Sequence, residues 1–497
     1  MLRTILFFSM TLAALAQTPT VAGVSNVAFD PQLSPGALVN IFGTGFGTGF
    51  AQGFGSRVIV NVGGKQAYVG NGGPTQVQAQ IPVDAPTGTV PLTVTVGGVT
   101  SAPFNITLDQ YAPTFILGLI RTGTGVDITR AAPAKPGDTV VTYASGLGAT
   151  TPPTPTGPPG NPNPTAVKPT LTVGGVPANV LFAGVATGLE GFYQINFTVP
   201  PGLQGTQPMV LSIGGKSSPP VQLALFGISA IVSNASFASA GTAAPSSIVS
   251  LFGNGLGSKD QTTGFPGTTF QGVSISVNGR SAPLFHLSAS ASQIDFLMPT
   301  ELPTSGTVNV QLTTPTGTSP NYTLTIAPAV PAFYRIPDPG TKGRVNIIAQ
   351  FANTAWLALP ASTATALKLP GNCRSSKIDP LAACAEPAAI GDFLVIYTTG
   401  LGKATPNGDP NGTSLATGAI PPADGSVLYK TVAMPVVTVG GVPATILYSG
   451  LAPGFPGEYQ VDIQVPAGVA PGDDVPVTIT MPGSATDTVT VSIQPRG

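Results

Sequence analysis

One segment recurs four times along the chain, and this repetition constrains the fold more than any other feature of the sequence. Each copy is a turn, a β-rich run and a glycine-punctuated turn, and the copies lie at residues 34–47, 135–148, 244–257 and 389–402. Self-similarity of this kind is typical of a chain assembled from copies of one supersecondary unit. The sequence therefore predicts four modules, which we place at residues 22–110, 111–227, 228–327 and 328–497.

Two further signals follow in every copy. The first is a two-residue hairpin turn, formed by Gly63-Gly64, Gly174-Gly175, Asn278-Gly279 and Gly440-Gly441. Glycine and asparagine tolerate the positive φ that both central residues of such a turn need. The second is an alternating strand that begins at Gln76, Gln194, Gln293 or Gln460 and ends before Pro82, Pro200, Pro299 or Pro466. Proline has no N–H to donate to a β-ladder, so it marks the end of each strand.

The density of these signals indicates the fold class. The first copy contains about seven short strands in roughly 90 residues, as expected of an immunoglobulin-like sandwich. No segment shows a sustained helical period. We therefore predict an all-β chain of tandem immunoglobulin-like β-sandwich modules.

The copies alternate in type. The first and third open on Val24-Ser-Asn-Val-Ala-Phe29 and Val232-Ser-Asn-Ala-Ser-Phe237, whereas the second and fourth share a Tyr-Gln pair at the glutamine strand. This alternation predicts a two-module unit that was duplicated whole. The fourth copy differs from the others by a long insertion at residues 353–388.

The fourth copy also resembles a known family. The run Val437-Thr-Val-Gly-Gly-Val-Pro-Ala444, continued to Pro466, resembles the carboxy-terminal module of exported proteins of soil acidobacteria. The modules of that family are similar to IPT/TIG immunoglobulin-like domains. The resemblance implies this fold and an exported location, and it implies no activity.

The amino terminus predicts export. Residues 1–16 read as a secretory signal peptide, with Arg3 before an apolar run and a small-residue cleavage site at Ala14-Leu15-Ala16. The mature chain should then begin near Gln17. No later apolar run approaches the ~18 residues that a membrane-spanning helix needs, so we expect no transmembrane segment. The expected location is extracellular, periplasmic or at the cell surface.

The charge content limits the partners. Only 8% of the residues are charged, the net charge is −1, and no stretch is rich in lysine and arginine. Neutralisation of phosphates dominates affinity for nucleic acid, so we expect no nucleic-acid partner. An extracellular protein or a polysaccharide is the expected partner class.

Catalytic residues are scarce. His286 is the only histidine of the chain, which leaves one position for a histidine-dependent triad and none for a multi-histidine metal site. The glycine runs at 43–47 and 253–257 lack the helix that a phosphate-binding loop requires. Glu190 and Glu458 lie in matching loops, where we expect them to be solvated. The sequence predicts a protein without enzymatic activity and without a cofactor.

Aromatic residues are the first set of candidates for ligand contact. Phe46, Phe50 and Phe54 lie in a glycine-rich loop after Phe42, which we expect to be in the core. The loop rings could stack on a sugar, or they could cap the end of the sandwich. Tyr193 and Tyr459, which precede the glutamine strands, are the other candidates.

A second candidate is a calcium loop at Asn407, Asp409 and Asn411. Oxygen-bearing side chains alternate there as in the first half of a calcium loop, but Gly418 stands where a bidentate glutamate is needed. The same residue types also form ordinary turns.

Cys373 and Cys384 are the only cysteines, and both lie in the insertion. In an exported chain such a pair is expected to form a disulfide. Because the insertion is polar and rich in turns, the bridge should pin a peripheral loop. The leading functional hypothesis is a scaffold or adhesion protein, a rod of modules that presents loops such as 149–168 and 403–434. The alternative is a carbohydrate-binding accessory protein.

Overall fold

The structure is a computed structural model that describes residues 18–47, 52–54, 57–238 and 241–495. The predicted signal peptide (1–16) and Phe50 lie outside the described residues. The chain forms two compact units that divide between Leu225 and Phe226. Each unit contains two β-sandwich modules, so the prediction of an all-β chain built from a duplicated two-module unit is confirmed.

Module 1 consists of two facing sheets. Its strands are β1 (Thr20–Asn26), β2 (Leu38–Thr44), β3 (Val58–Val62), β4 (Lys65–Gln66), β5 (Tyr68–Gly73), β6 (Gln76–Gln80), β7 (Gly88–Val96), β8 (Val99–Thr100) and β9 (Phe104–Leu108). The front sheet, which we define in each module as the sheet that contains the glutamine strand, has the order β1-β2-β6-β5. The back sheet has the order β4-β3-β7-β8, with β9 on β7.

Module 2 has the same layout with a longer connection between its sheets. Its strands are β10 (Thr114–Thr122), β11 (Thr139–Ser145), β12 (Thr170–Val173), β13 (Val176–Val185), β14 (Tyr193–Thr198), β15 (Gly205–Ile213), β16 (Lys216–Ser217) and β17 (Val221–Leu225). The front sheet is β10-β11-β14-β13, and β12, β15, β16 and β17 form the back sheet. Because β13 pairs with both β14 and β12, it joins the two sheets.

Module 3 repeats the plan of module 1. Its strands are β18 (Gly227–Ser233), β19 (Thr242–Ala243), β20 (Ile248–Asn254), β21 (Gln261–Gly267), β22 (Ser274–Val277), β23 (Arg280–Ser281), β24 (Leu284–Ser288), β25 (Gln293–Leu297), β26 (Gly306–Thr314), β27 (Gly317–Thr318) and β28 (Tyr322–Ile326). The front sheet is β18-β20-β25-β24-β21, and the back sheet is β19-β28-β26-β22-β23, with β27 on β26.

Module 4 is enlarged by the insertion. Its elements are β29 (Ala332–Phe333), β30 (Arg335–Pro337), β31 (Val345–Ile347), β32 (Ala349–Phe351), β33 (Trp356–Ala358), α1 (Ala361–Ala366), β34 (Cys384–Glu386), β35 (Ala388–Ala389), β36 (Phe393–Thr399), β37 (Ala404–Pro406), β38 (Tyr429–Thr431), β39 (Val436–Val439), β40 (Val442–Pro443), β41 (Thr445–Leu451), β42 (Tyr459–Gln464), β43 (Gly472–Thr480) and β44 (Asp487–Gln494). The front sheet is β34-β33-β32-β36-β42-β41-β38-β37, with β29 on β36. The back sheet is β30-β31-β44-β43-β39-β40, with β35 on β44.

The hairpin turns are where the sequence predicts them. Both residues of every turn have positive φ, from 48° at Asn278 to 82° at Gly64. The flanking residues pair across each turn, as Val62 does with Lys65 and Val439 with Val442. A turn with two left-handed residues matches the right-handed twist of its strands, which is why these dipeptides fix the register of all four modules.

The two cysteines form the predicted disulfide, with their Cα atoms 5.9 Å apart. The expectation that the bridge pins a peripheral loop is wrong. Both cysteines are fully buried in the main core of module 4. The insertion also supplies β33 and β34, which pair in parallel and extend the front sheet, so the bridge closes a segment that belongs to the sandwich.

In the part of the chain that the structure describes, no helix has the length and apolar character needed to cross a membrane.

Candidate functional site

The glutamine strand of each module lies beside a strand that carries an aromatic residue. The first glutamine is the direct cross-strand neighbour of that ring in all four modules, as Phe42–Gln76, Tyr143–Gln194, Phe252–Gln293 and Tyr397–Gln460. We call these the aromatic–glutamine pairs. Because successive strand residues point to opposite faces, and residues such as Ile41 and Val77 lie in the core, each pair is on the outward face of its front sheet.

Hydrogen bonds restrain these glutamine side chains. Gln194 Nε2 donates to Asn196 Oδ1 at 2.8 Å, Gln293 Nε2 to Asp295 Oδ1 at 2.7 Å, and Gln460 Nε2 to Asp462 Oδ1 at 2.8 Å. In module 1, Gln76 Nε2 donates to Asn40 Oδ1 at 3.1 Å. A primary amide has both donors and an acceptor, and the ring beside it offers an apolar face. This combination suits a ligand that carries both hydroxyl groups and C–H faces.

Modules 1 and 3 add a second, more exposed ring to their pairs. Phe29 is 71% exposed and stacks on Phe42, with ring centroids 6.4 Å apart and planes inclined by 28°. Phe237 is 55% exposed and lies 6.3 Å from Phe252. Both exposed phenylalanines have left-handed backbones, with φ of 64° and 53°. Phe42 was expected in the core, and this expectation is wrong because it shares the outward face with Asn40.

A polar groove lies next to the pair of module 1. It has a volume of about 390 Å³ and is lined by Asn71, Gly72, Gly73, Thr75, Gln76 and Gln78. This volume is within the range of small-molecule sites in proteins. Glu190 reaches the same face, since its Oε1 lies 2.8 Å from the position that a Cβ on Gly70 would occupy. Gly70 thus leaves room for a carboxylate at the edge of the groove.

Three of the predicted ligand-contact aromatics are buried. Phe46 is 1% exposed and belongs to the core of module 1. Tyr459 is fully buried, its hydroxyl donates to Gly402 O at 2.5 Å, and burial raises its pKa. Tyr193 is equally enclosed, donates to Gly148 O, and has its pKa raised by burial. A role in sugar stacking is wrong for these rings, because none of them presents an open face.

The surroundings of the two tyrosines differ in one respect. Tyr193 lines a cavity of about 190 Å³ that also contacts Gln80, Thr150 and Thr154. The matching space beside Tyr459 is about 20 Å³. Of the loop phenylalanines, Phe54 stays 47% exposed and packs edge-on against Tyr68, with centroids 5.5 Å apart. Contact of Phe54 with a ligand remains a prediction.

The buried tyrosines belong to junctions between modules, and the same junction occurs in both units. The N–H of Leu38 in module 1 donates to Ser145 Oγ in module 2 at 2.9 Å. The N–H of Ile248 in module 3 donates to Thr399 Oγ1 in module 4 at 2.9 Å. Leu38 and Ile248 hold the same position in the first and third copies of the repeat, and Ser145 and Thr399 hold the same position in the second and fourth. Equivalent residues therefore form this contact in both units.

The long loops of the even modules complete each junction. In the loop 149–168, Thr156 Oγ1 accepts the N–H of Val83 at 3.1 Å. In the loop 403–434, Thr417 Oγ1 accepts the N–H of Thr300 at 2.9 Å. The prediction that these loops are presented to a partner is wrong for their Thr-Gly segments, since those segments bind the preceding module of the same unit.

A glycine two residues before each buried tyrosine allows the close approach. A Cβ on Gly191 would lie 3.0 Å from Leu38 Cβ, and one on Gly457 would lie 2.3 Å from Leu297 Cδ1. Both glycines have positive φ, of 70° and 74°. The sequence showed the Tyr-Gln pair but not its role, because which surface a module presents to its neighbour leaves no periodic signal.

The candidate calcium loop is held by its own hydrogen bonds. Asp409 Oδ1 accepts the N–H of Asn411 at 2.9 Å, and the Asp409 carbonyl accepts from Thr405 Oγ1 at 2.7 Å. Asn407 has a φ of 55°, as turn residues of this type often do. Within the described ranges, no three His, Cys, Asp or Glu side chains come together in a way that could hold a metal ion. Calcium binding at this loop stays a prediction, and the turn accounts for its residues.

Two ionisable groups of module 3, His286 and Asp295, are neighbours on adjacent strands of the front sheet. His286 on β24 shares a 2.6 Å hydrogen bond between its Nδ1 and Thr262 Oγ1. Its cross-strand neighbour is Asp295, whose Oδ1 accepts from Ser250 Oγ at 2.6 Å as well as from Gln293. These hydrogen bonds of the two side chains, from His286 to Thr262 and from Ser250 and Gln293 to Asp295, are therefore made within the front sheet.

Glu458 is not the solvated loop residue that the sequence indicates. Burial raises the pKa of its carboxyl from 4.5 to about 6. Its charge also contributes to the raised pKa of Tyr334, after burial of that ring.

Comparisons with known proteins agree with the fold. Residues 27–111, which make up most of module 1, match the model of the IPT/TIG domain. No curated protein sequence matches the chain.

Similar solved structures include proteins studied with sugars. A structure solved with a xylogluco-oligosaccharide has 14% identity, coverage of 95% of this chain and 97% of that chain, and a TM-score of 0.22. The protein SGBP-B of the Bacteroides ovatus mixed-linkage glucan utilization locus has 15% identity, coverage of 65% and 75%, and a TM-score of 0.17. The surface glycan-binding protein of Prevotella bryantii has 12% identity, coverage of 52% and 57%, and a TM-score of 0.16.

Proposed function

We propose that this protein is a non-enzymatic scaffold of the extracellular space, in which paired modules are braced into stiff units that hold binding faces in fixed positions. The repeated junction is the observation that carries the proposal. Equivalent residues make the same two inter-module hydrogen bonds in both units. A buried N–H without a partner costs about 1–3 kcal/mol, so each hydroxyl opposes bending at its junction.

Two further observations bear on the proposal, namely the exposure of His286 and the disulfide. The hydrogen bond between Thr262 and His286 is exposed to solvent, where water screens charges. The disulfide supports an oxidising location such as the cell exterior, because such bridges are rare in the cytosol.

Distances between spin labels test the stiffness of a unit. Labels at Asn105→Cys and Gln222→Cys, two exposed positions in modules 1 and 2, should give a narrow distance distribution in the full chain. The native cysteines are bonded to each other and do not react with the label. Removal of both junction hydroxyls, in Ser145→Ala with Thr156→Val, should broaden the distribution.

A broad distribution in the parent protein would contradict a braced scaffold. The same preparation should show no turnover of ester, peptide or polysaccharide substrates. Turnover that disappears in His286→Ala would show that the protein is an enzyme and would contradict the proposed non-enzymatic scaffold.

Carbohydrate binding is the second candidate function, and the aromatic–glutamine pairs favour it. An aromatic ring and a glutamine amide are neighbours on the outward face of all four modules, with phenylalanine in modules 1 and 3 and tyrosine in modules 2 and 4, although the surrounding loops differ. A ligand with a repeating structure could use several copies of such a face. Saturable binding to a glycan array would support this role, and an array without signal would leave the scaffold as the sole function.

A further inference from the structure

The two exposed phenylalanines are the most unusual residues on the outward faces. A left-handed backbone is unfavourable for a residue with a Cβ, and the phenylalanine side chain has no polar group that could offset this by hydrogen bonding locally. Phe29 and Phe237 also leave most of their ring surface in water. Such features persist where the surrounding structure enforces them, and they cluster at functional sites.

Both turns are built to hold this conformation. In module 1, the Oδ1 of the buried Asn26 accepts the N–H groups of Ala28 and Asp30 at 2.9 and 3.0 Å, and the N–H of Phe29 donates to Asn26 O at 3.0 Å. In module 3, Ser233 has this role, since its carbonyl accepts the N–H of Phe237 at 2.9 Å. Turns built on two different residues, Asn26 and Ser233, thus each place an exposed phenylalanine next to the aromatic–glutamine pair of its module.

The charge of the two faces indicates the class of ligand. The front-sheet strands of modules 1 and 3 contain no lysine or arginine. Acidic groups such as Glu190 and Asp295 do lie on or beside these faces. An anionic polymer would be repelled, whereas a neutral saccharide can place a C–H face on the rings and its hydroxyl groups against the amides.

We propose that Phe29 with Phe42 and Gln76, and Phe237 with Phe252 and Gln293, form two equivalent binding sites for a neutral polysaccharide. In module 1 the 390 Å³ groove beside Gln76 receives the sugar residue that follows the stacked one. This proposal rests on the second candidate function and does not depend on the stiffness of the units.

Calorimetric titration of the full chain tests the proposal. A panel of soluble neutral glucans, xylans and mannans identifies the polysaccharide that is bound, with polygalacturonate as the anionic comparison. Short oligosaccharides of the bound polymer should then titrate with two sites per chain. Phe29→Asn and Phe237→Asn should each remove one site, and the double variant should remove both.

Asparagine is chosen because it tolerates the left-handed backbone better than phenylalanine does. If the rings serve the ligand, the variants keep or raise the thermal midpoint while they lose binding. If the rings serve the fold, the midpoint falls. Phe455→Ala is the matched control, since Phe455 is 57% exposed but lies outside both faces, and it should bind as the parent protein does.

Several results would overturn the sites. These are a panel without binding, preference for polygalacturonate, an unchanged number of sites in the double variant, or capture of a protein strand at the same faces instead of a saccharide. Broad spin-label distances together with two saccharide sites would refute the scaffold and leave this proposal standing.

Discussion

Glu458 illustrates how a junction changes the chemistry of a single residue. In the sequence it is one of two glutamates in matching loops, although it directly precedes Tyr459 whereas Glu190 lies three residues before Tyr193. In the structure its carboxyl is largely buried, and this raises its pKa to about 6. Burial that arises where two modules meet is invisible to a search for local patterns.

Glu458→Gln should stabilise unit 2 at high pH and not at low pH. Below pH 4.5 the carboxyl is protonated in both the folded and the unfolded chain, so its burial has no electrostatic cost. As the pH rises through 4.5 to about 6, the unfolded chain releases the proton first, and stability falls. Above that window the glutamine variant should unfold with a free energy higher by roughly 1–2 kcal/mol.

Thermal midpoints of the two proteins at pH 4 and pH 8 measure this effect. An equal gain at both pH values would show that packing, and not ionisation, separates glutamate from glutamine at this position.

The alternation of side-chain faces along β2 could have corrected the prediction that Phe42 lies in the core. Asn40 and Phe42 are two residues apart on β2, so they share a face, and the amide predicts that this face is outward. Phe46 then fills the core from the following loop. The left-handed backbones of Phe29 and Phe237 had no comparable signal, because phenylalanine is among the last residues expected there.

At the scale of elements, turns and junctions differ in what the sequence reveals. A hairpin is specified by the two residues that form it, and all four were found from Gly-Gly and Asn-Gly alone. A junction is specified by which surfaces meet. The sequence does not reveal the partners of the Ser145 and Thr399 hydroxyls, because those partners belong to the preceding module.

Two glycines of module 4, Gly441 in a hairpin turn and Gly457 at the junction, distinguish the cost of backbone strain from the cost of overpacking at the junction. Gly441 has a φ of 80° and no atom within 4 Å of a potential Cβ, whereas Gly457 has a similar φ of 74° with Leu297 at 2.3 Å. Gly441→Ala should therefore cost only the backbone strain of about 1–2 kcal/mol. Gly457→Ala should add about 1–3 kcal/mol of overpacking at the junction.

Denaturant unfolding of both variants gives the comparison. Equal losses would mean that the junction can open without affecting the stability of its modules.

For the whole molecule, the division into two units predicts how the chain unfolds. Modules within a unit share buried hydrogen bonds, so each pair should melt as one cooperative body. Differential scanning calorimetry should accordingly show two transitions, and four would contradict the pairing.

Reduction of the disulfide should identify the transition of unit 2. Because Cys373 and Cys384 are fully buried in the core of module 4, breaking their bond should lower the stability of that unit by about 3 kcal/mol on the chain-entropy model. The transition of unit 1 should not move. Cys373→Ser with Cys384→Ser should reproduce the shift without reductant, and titration of the unfolded, unreduced chain should find no free thiol.

The repeated junction also bears on how such chains lengthen over evolutionary time. A duplication of module 1 or module 3 alone would leave the N–H at the position of Leu38 or Ile248 without a hydroxyl acceptor. A duplication of module 2 or module 4 alone would leave the loop threonine at the position of Thr156 or Thr417 without a neighbouring module. Only a copy of both closes every contact. We therefore expect relatives with this junction to differ in length by two modules at a time, so that the inherited unit is the pair.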